Sequence, residues 1–173
     1  MDICRLLQEN IIPKKELDRV FEESDAGAEL DCSFLCFEDV YFHAREHIPD
    51  SFTIIDLGCA YAPQSYIFAD CKRYIGVNCT ELKAKFDRSG NSEFITADIR
   101  NFCDKILPGM NLDMDKTVAI CSYVPHFDNE EICSFIKSLF KHYYVKYCEF
   151  QMYSEDIGPM YEKFWRVYGI NCG

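Results

Sequence analysis

The hydrophobic pattern of the chain changes rhythm near residue 52. Before that point it is helical. Ile3, Leu6 and Leu7 form a short amphipathic turn, and Pro13 opens a second helix with Leu17, Val20 and Phe21 on one side. A small, acidic stretch over 24–31 reads as a loop. Phe34, Leu35, Val40, Tyr41 and Phe42 then continue a helical spacing over 32–47, which Pro49-Asp50 ends. From Phe52 onward, short apolar runs alternate with helical ones. Strands are expected at 52–55, 73–78, 94–97, 117–121 and 143–150. Helices are expected at 64–70, at 81–87 with Thr80 as N-cap, at 99–106, from Asp128 to about His142, and at 156–167.

Alternation of this kind predicts an α/β fold: a three-layer, Rossmann-like, open and mostly parallel sheet with helices on both faces, preceded by a helical N-terminal section. The 173 residues are expected to form a single domain, 1–173, with residues 1–50 as the helical section and 51–173 as the α/β core. In such sheets ligands bind beyond the carboxyl ends of the strands, where strand order reverses. That rule gathers Asp56 to Ala62, Asn78, Asp98 and Ser122 to His126 around one crevice.

The net charge of −11 disfavours a general nucleic-acid surface and an anionic membrane surface. No secretory leader or membrane-spanning run is visible, so a cytoplasmic location is expected. The eleven cysteines are odd in number and scattered, which reads as free thiols. Cys32 and Cys36 lack a second Cys or His pair to complete a zinc site. His43 and His47 share a helix face and can hold a metal, but the helix carries no His-Glu-x-x-His pattern, and an exposed helix side is the simpler reading.

The loop Asp56-Leu57-Gly58-Cys59-Ala60-Tyr61-Ala62, together with Asn78 and Asp98 after the next two strands, resembles the class I S-adenosylmethionine-dependent methyltransferases. The resemblance covers residues 52–149. It implies S-adenosylmethionine as cofactor, with Asp56, Gly58, Cys59, Ala60, Tyr61, Asn78, Asp98, Ile99 and Ser122 as its binding residues. Asp56 would offset the methionine end, directly or by holding the loop. Asn78 would stand where the family has an acid on the ribose, Asp98 would accept from the adenine amino group, and Ile99 would pack on the ring. Alanine at 60 and 62, where the family has glycine, leads to the expectation of a different loop, because alanine avoids positive φ.

His126 is the candidate general base and Tyr123 the candidate wall of the acceptor pocket. The Asn/Asp-Pro-Pro-aromatic stretch of amino-methylating members is missing, and so is the acid that ribose-methylating members carry at this strand end. The acceptor, a small molecule or a protein, stays unidentified. A dinucleotide enzyme fits less well, because it needs Gly-x-Gly-x-x-Gly and a ribose-binding acid. A non-catalytic methyltransferase-like protein that binds S-adenosylmethionine or a partner remains the alternative. The family's closing hairpin has little room here: only a stub at 168–172 follows the last expected helix. The strand at 143–150 is therefore expected to be an open edge, paired in a homodimer or with a partner protein.

Overall fold

The computed structural model describes residues 11–24, 38–88, 90–122, 129–148 and 165–168. Two N-terminal helices, α1 (Lys14–Glu23) and α2 (Glu38–His47), precede the sheet. The sheet strands are β1 (Thr53–Leu57), β2 (Arg73–Asn78), β3 (Ser92–Thr96), β4 (Thr117–Ser122), β5 (His142–Cys148) and β6 (Trp165–Tyr168). Their order is β3-β2-β1-β4-β5-β6. The first five are parallel, and β6 runs antiparallel to β5. This is a Rossmann-like α/β sheet, and its order reverses between β1 and β4.

The strands form where the apolar runs lie. All five residues of β1 and all six of β4 are buried, as expected of strands covered on both faces. The period of two divides them. Ile54, Tyr74, Val118, Ile120 and Tyr144 face one layer with Val20, Val40, Tyr41 and Phe68. Ile55, Leu57, Ile75, Val77, Ala119, Cys121 and Val145 face the other with Ile99, Phe102, Ile132 and Ile136. The second layer is built by α3 (Ile99–Asn101), which continues as a π-helical turn over Phe102–Ile106, and by α4 (Asn129–Leu139). Among the described residues no helix is long and apolar enough to cross a membrane.

Three expectations are corrected. The first is the helix at 81–87, which is absent: residues 79–88 run as irregular chain. Ala84, Phe86 and Arg88 are buried while Lys83 and Asp87 are exposed, a period of two. Tertiary partners take the backbone groups that a helix would have satisfied internally. Phe86 N–H donates to Tyr61 O at 2.9 Å, Arg19 donates to Lys85 O at 2.6 Å, and Tyr66 Oη donates to Asp87 O at 2.6 Å.

The second is the run expected at 64–70, which is a single 3-10 helix, Pro63–Phe68. The third concerns the C-terminal edge. Residues 165–167 are strand and not helix, and β6 pairs along Val145, Lys146, Tyr147 and Cys148. Trp165, Val167 and Tyr168 are good β-formers, and the open ladder of β5 offers them hydrogen bonds that a helix cannot use. The chain thus covers its own edge, and the argument for a homodimer or partner strand there falls. The expected helical turn at residues 3–7 and the bulk of the expected helix at 156–167 lie outside the described residues.

Candidate functional site

The carboxyl ends of β1, β2 and β3 form one continuous rim. Gly58 N–H and Cys59 N–H both donate to Val77 O, at 2.8 and 3.0 Å, and Ala97 N–H donates to Asn78 O at 3.0 Å. These bonds carry the loop after β1, the end of β2 and the turn after β3 at the same level. Gly76 has no Cβ for a packing reason. A Cβ there would stand 2.8 Å from Cys59 Sγ and 2.7 Å from Phe94 Cδ1, so the glycine lets the Cys59 side chain sit down on β2.

The loop itself takes left-handed backbone at alternate residues: φ is 85° at Gly58, 47° at Ala60 and 58° at Ala62. These are the three positions at which the resemblance places glycine. The premise that alanine avoids positive φ does not hold at Ala60 and Ala62. The alanines adopt the glycine conformation, at a cost of about 1–2 kcal/mol each. Ala62 is fully buried under the first layer, and its N–H donates to Cys59 O at 2.9 Å, so packing and a turn bond hold it there.

Asp56 is wholly buried and receives three donors. Tyr41 Oη of α2 donates to its Oδ1 at 3.1 Å. Gln64 Nε2 donates to Oδ2 at 2.7 Å, and Tyr74 Oη of β2 donates to the same oxygen. Gln64 Nε2 also donates to Cys59 O at 2.9 Å, which ties the loop to the carboxylate. Tyr41 Oη further meets Ser122 Oγ of β4 at 2.5 Å. With the tyrosine proton given to Asp56, the serine is the donor in that pair. One carboxylate thus joins α2, β1, the 3-10 helix and β2 directly, and β4 through Tyr41, beside the point where strand order reverses.

Burial pushes the Asp56 carboxyl up from 3.8 to about 6, against the lowering effect of its bonds from Tyr74, Gln64 and Tyr41. Burial, and then the Asp56 charge, push the Tyr41 and Tyr74 phenols and the Cys59 thiol well above their ordinary values. None of these groups is poised as a nucleophile at neutral pH.

The other expected residues are spread along the rim. Tyr61 packs on the first layer, and its carbonyl is taken by Phe86. Asn78 is half-buried, and its Nδ2 donates to Thr80 O at 2.7 Å, which turns that amide into a loop brace. Asp98 is exposed and caps α3 by accepting from Asn101 N–H at 2.9 Å. Ile99 is a core residue of the second layer with 5% exposure. Ser122 is buried and engaged with Tyr41. Tyr123 and His126 lie outside the described residues. Sequence reasoning missed Tyr41, Gln64 and Tyr74 as partners of Asp56. The available signal was an acid inside an otherwise apolar strand, which calls for donors on neighbouring elements.

Two outcomes are expected here. Ala60→Gly removes a left-handed alanine whose side chain is only partly buried, and raises stability by about 1 kcal/mol in chemical denaturation. The Asp56 carboxyl holds its proton more tightly in the folded chain than in the unfolded one, so its contribution to stability is full below pH 4 and falls as pH rises toward about 6. A shift of about two units corresponds to about 3 kcal/mol. In Asp56→Asn that fall disappears, and the difference in unfolding free energy between the two proteins changes by this amount between pH 4 and 7 in urea titrations.

No protein-family model matches the sequence, and no curated protein sequence matches it. Solved structures with a similar arrangement include a candidate type II methyltransferase of Anaeromyxobacter dehalogenans, 16% identical over 65% of this chain and 47% of that one, with a TM-score of 0.45. Another is an rRNA methylase of Streptococcus thermophilus, 14% identical over 65% of this chain and 69% of that one, with a TM-score of 0.46. A third is a candidate methyltransferase of Streptococcus mutans in complex with S-adenosylhomocysteine, 11% identical over 65% of this chain and 71% of that one, with a TM-score of 0.43. The chain spans about half the length of the first of these. The sheet itself, five parallel strands in the order β3-β2-β1-β4-β5 with an antiparallel β6 beside β5, is an open Rossmann-like α/β fold.

Proposed function

We propose that the protein binds S-adenosylmethionine at the carboxyl rim of β1, β2 and β3 and acts as a methyltransferase on an unidentified acceptor. The observation that supports this reading is the left-handed backbone at 58, 60 and 62, the three positions at which the resemblance places glycine. The antiparallel β6 supports it over a dinucleotide enzyme. When bound, S-adenosylmethionine supplies an electrophilic methyl group and a sulfonium leaving group.

The chain's residues have the following parts in the proposal. Gly58, Cys59, Ala60 and Tyr61 present loop backbone to the methionine portion. Asp56 acts from behind: its bond to Gln64, and Gln64's bond to Cys59 O, fix the loop. Asn78 keeps its Oδ1 to accept from one ribose hydroxyl, since Nδ2 is given to Thr80. Asp98 accepts from the adenine amino group with the carboxylate oxygen not used in capping α3. Ile99 contributes by packing beneath α3 and not by stacking on the adenine. His126 takes the acceptor proton and Tyr123 shapes the acceptor pocket, with Ser122 fixed at the strand end before them.

A second reading, binding without transfer, is favoured by two observations. The residue in the ribose position is the neutral Asn78, and the Asp56 charge is already satisfied by three protein donors. Calorimetry separates the readings in two steps. S-adenosylmethionine or S-adenosylhomocysteine is expected to bind in preference to NAD; tighter NAD binding, or no binding of any, removes the proposal. Asn78→Asp is expected to tighten binding by about 1 kcal/mol through a charge-assisted bond to the ribose. Turnover assays with candidate acceptors then distinguish transfer from binding alone.

A further inference from the structure

Outside the rim, α2 carries a second set of chemistry-bearing side chains. His43, Glu46 and His47 stand at i, i+3 and i+4, so they share one face of the helix. One ligand atom from each lies within 4.8 Å of the others. The order is His-x-x-Glu-His, the reverse placement of the acid from the His-Glu-x-x-His pattern that the sequence lacks. We infer that His43, Glu46 and His47 form a binding site for a zinc-like divalent cation.

Three observations support the assignment. His47 Nδ1 lies 2.8 Å from His43 O, and in that bond it is the proton donor, because a carbonyl only accepts. The tautomer leaves Nε2 unprotonated, with its lone pair available. This backbone bond on the far nitrogen is the usual device that orients a metal-ligating imidazole. His43 Nε2 is buried and has no hydrogen-bond partner, a condition that an ion at the site would explain. The ring is held between His47, with centroids 4.6 Å apart, and Tyr144 of β5 at 6.0 Å. Arg45, the cation nearest in sequence, is turned away to Ile48 O and Asp50, so it does not neutralise Glu46.

Two imidazoles and a carboxylate suit zinc and leave a fourth position for water. Ligands at about 2.0–2.2 Å on a tetrahedron stand about 3.4 Å apart. Glu46 is exposed and can close that difference by rotating inward, while the bond to His43 O holds His47 in its orientation. The chain's net charge of −11 favours cation uptake. A bound ion would staple the last turn of α2, the helix that also delivers Tyr41 to Asp56.

The test is calorimetry of ZnCl2 into the full chain after accessible thiols are capped with iodoacetamide, because Cys79 is exposed and Cys133 partly so. Magnesium serves as control. One equivalent of zinc is expected, with a rise in thermal midpoint and no response to magnesium. His47→Gln, at an exposed position, is expected to weaken zinc at least about tenfold and to abolish the thermal shift. Glu46→Gln is expected to weaken it less. Cobalt is expected to give d–d bands without a thiolate charge-transfer band. Absence of zinc binding, binding no stronger than magnesium, or zinc binding undiminished in His47→Gln with a thiolate band overturns the assignment.

Discussion

A carboxylate without access to water needs donors from the protein, or folding must carry the cost of an unsolvated charge. Asp56 meets that need with Tyr41, Gln64 and Tyr74, drawn from a helix, a 3-10 turn and a neighbouring strand. The requirement reaches far into the structure. It ties α2 to β1 through the bond from Tyr41 Oη to Oδ1. It is met in the first turn of the 3-10 helix, where Gln64 reaches both Oδ2 and Cys59 O. It brings in Ser122, because Tyr41 gives its proton to Asp56 and must accept another. Helix α2 is therefore part of the core that shapes the carboxyl rim of the sheet.

The same bonds explain how the loop tolerates alanine. Left-handed alanine is unfavourable by itself, yet Ala62 is fully buried and Cys59 is tied to Gln64 on one side and to Val77 on the other. The surroundings fix the path, and alanine follows it. Gly76 has the complementary role: the missing side chain on β2 makes room for Cys59 and Phe94 at the base of the loop. Asn78 and Asp98 at the rim are each braced by one local bond and keep a further acceptor oxygen.

Much of the sheet was legible because buried parallel strands announce themselves as β-branched runs. Thr53–Leu57 and Thr117–Ser122 are the clear cases. The loop after β1 was legible in position but not in conformation, because the propensity of alanine says nothing of Val77 or Gln64. Residues 79–88 misled because Thr80 and Glu81 mimic a helix start, while the alternation of Ala84, Phe86 and Arg88 was the true signal. The closing strand β6 was hidden by Met160, Phe164 and Val167 at helical spacing. Its pairing answers to the open ladder of β5, a tertiary demand that a local window does not contain. The role of Asp56 was legible as important, but its partners lie 15 and 18 residues away in Tyr41 and Tyr74. An acid inside an apolar strand fixes the need for donors without naming them.

The most direct test of this account is a carbon-detected NMR titration of the Asp56 side-chain carboxyl, with and without saturating S-adenosylhomocysteine. A carboxylate enclosed by its own donors should titrate near 6 and stay there when ligand is added, since the ligand meets the loop and not the acid. A marked fall of the midpoint on adding ligand would show that Asp56 faces the crevice and would contradict the account.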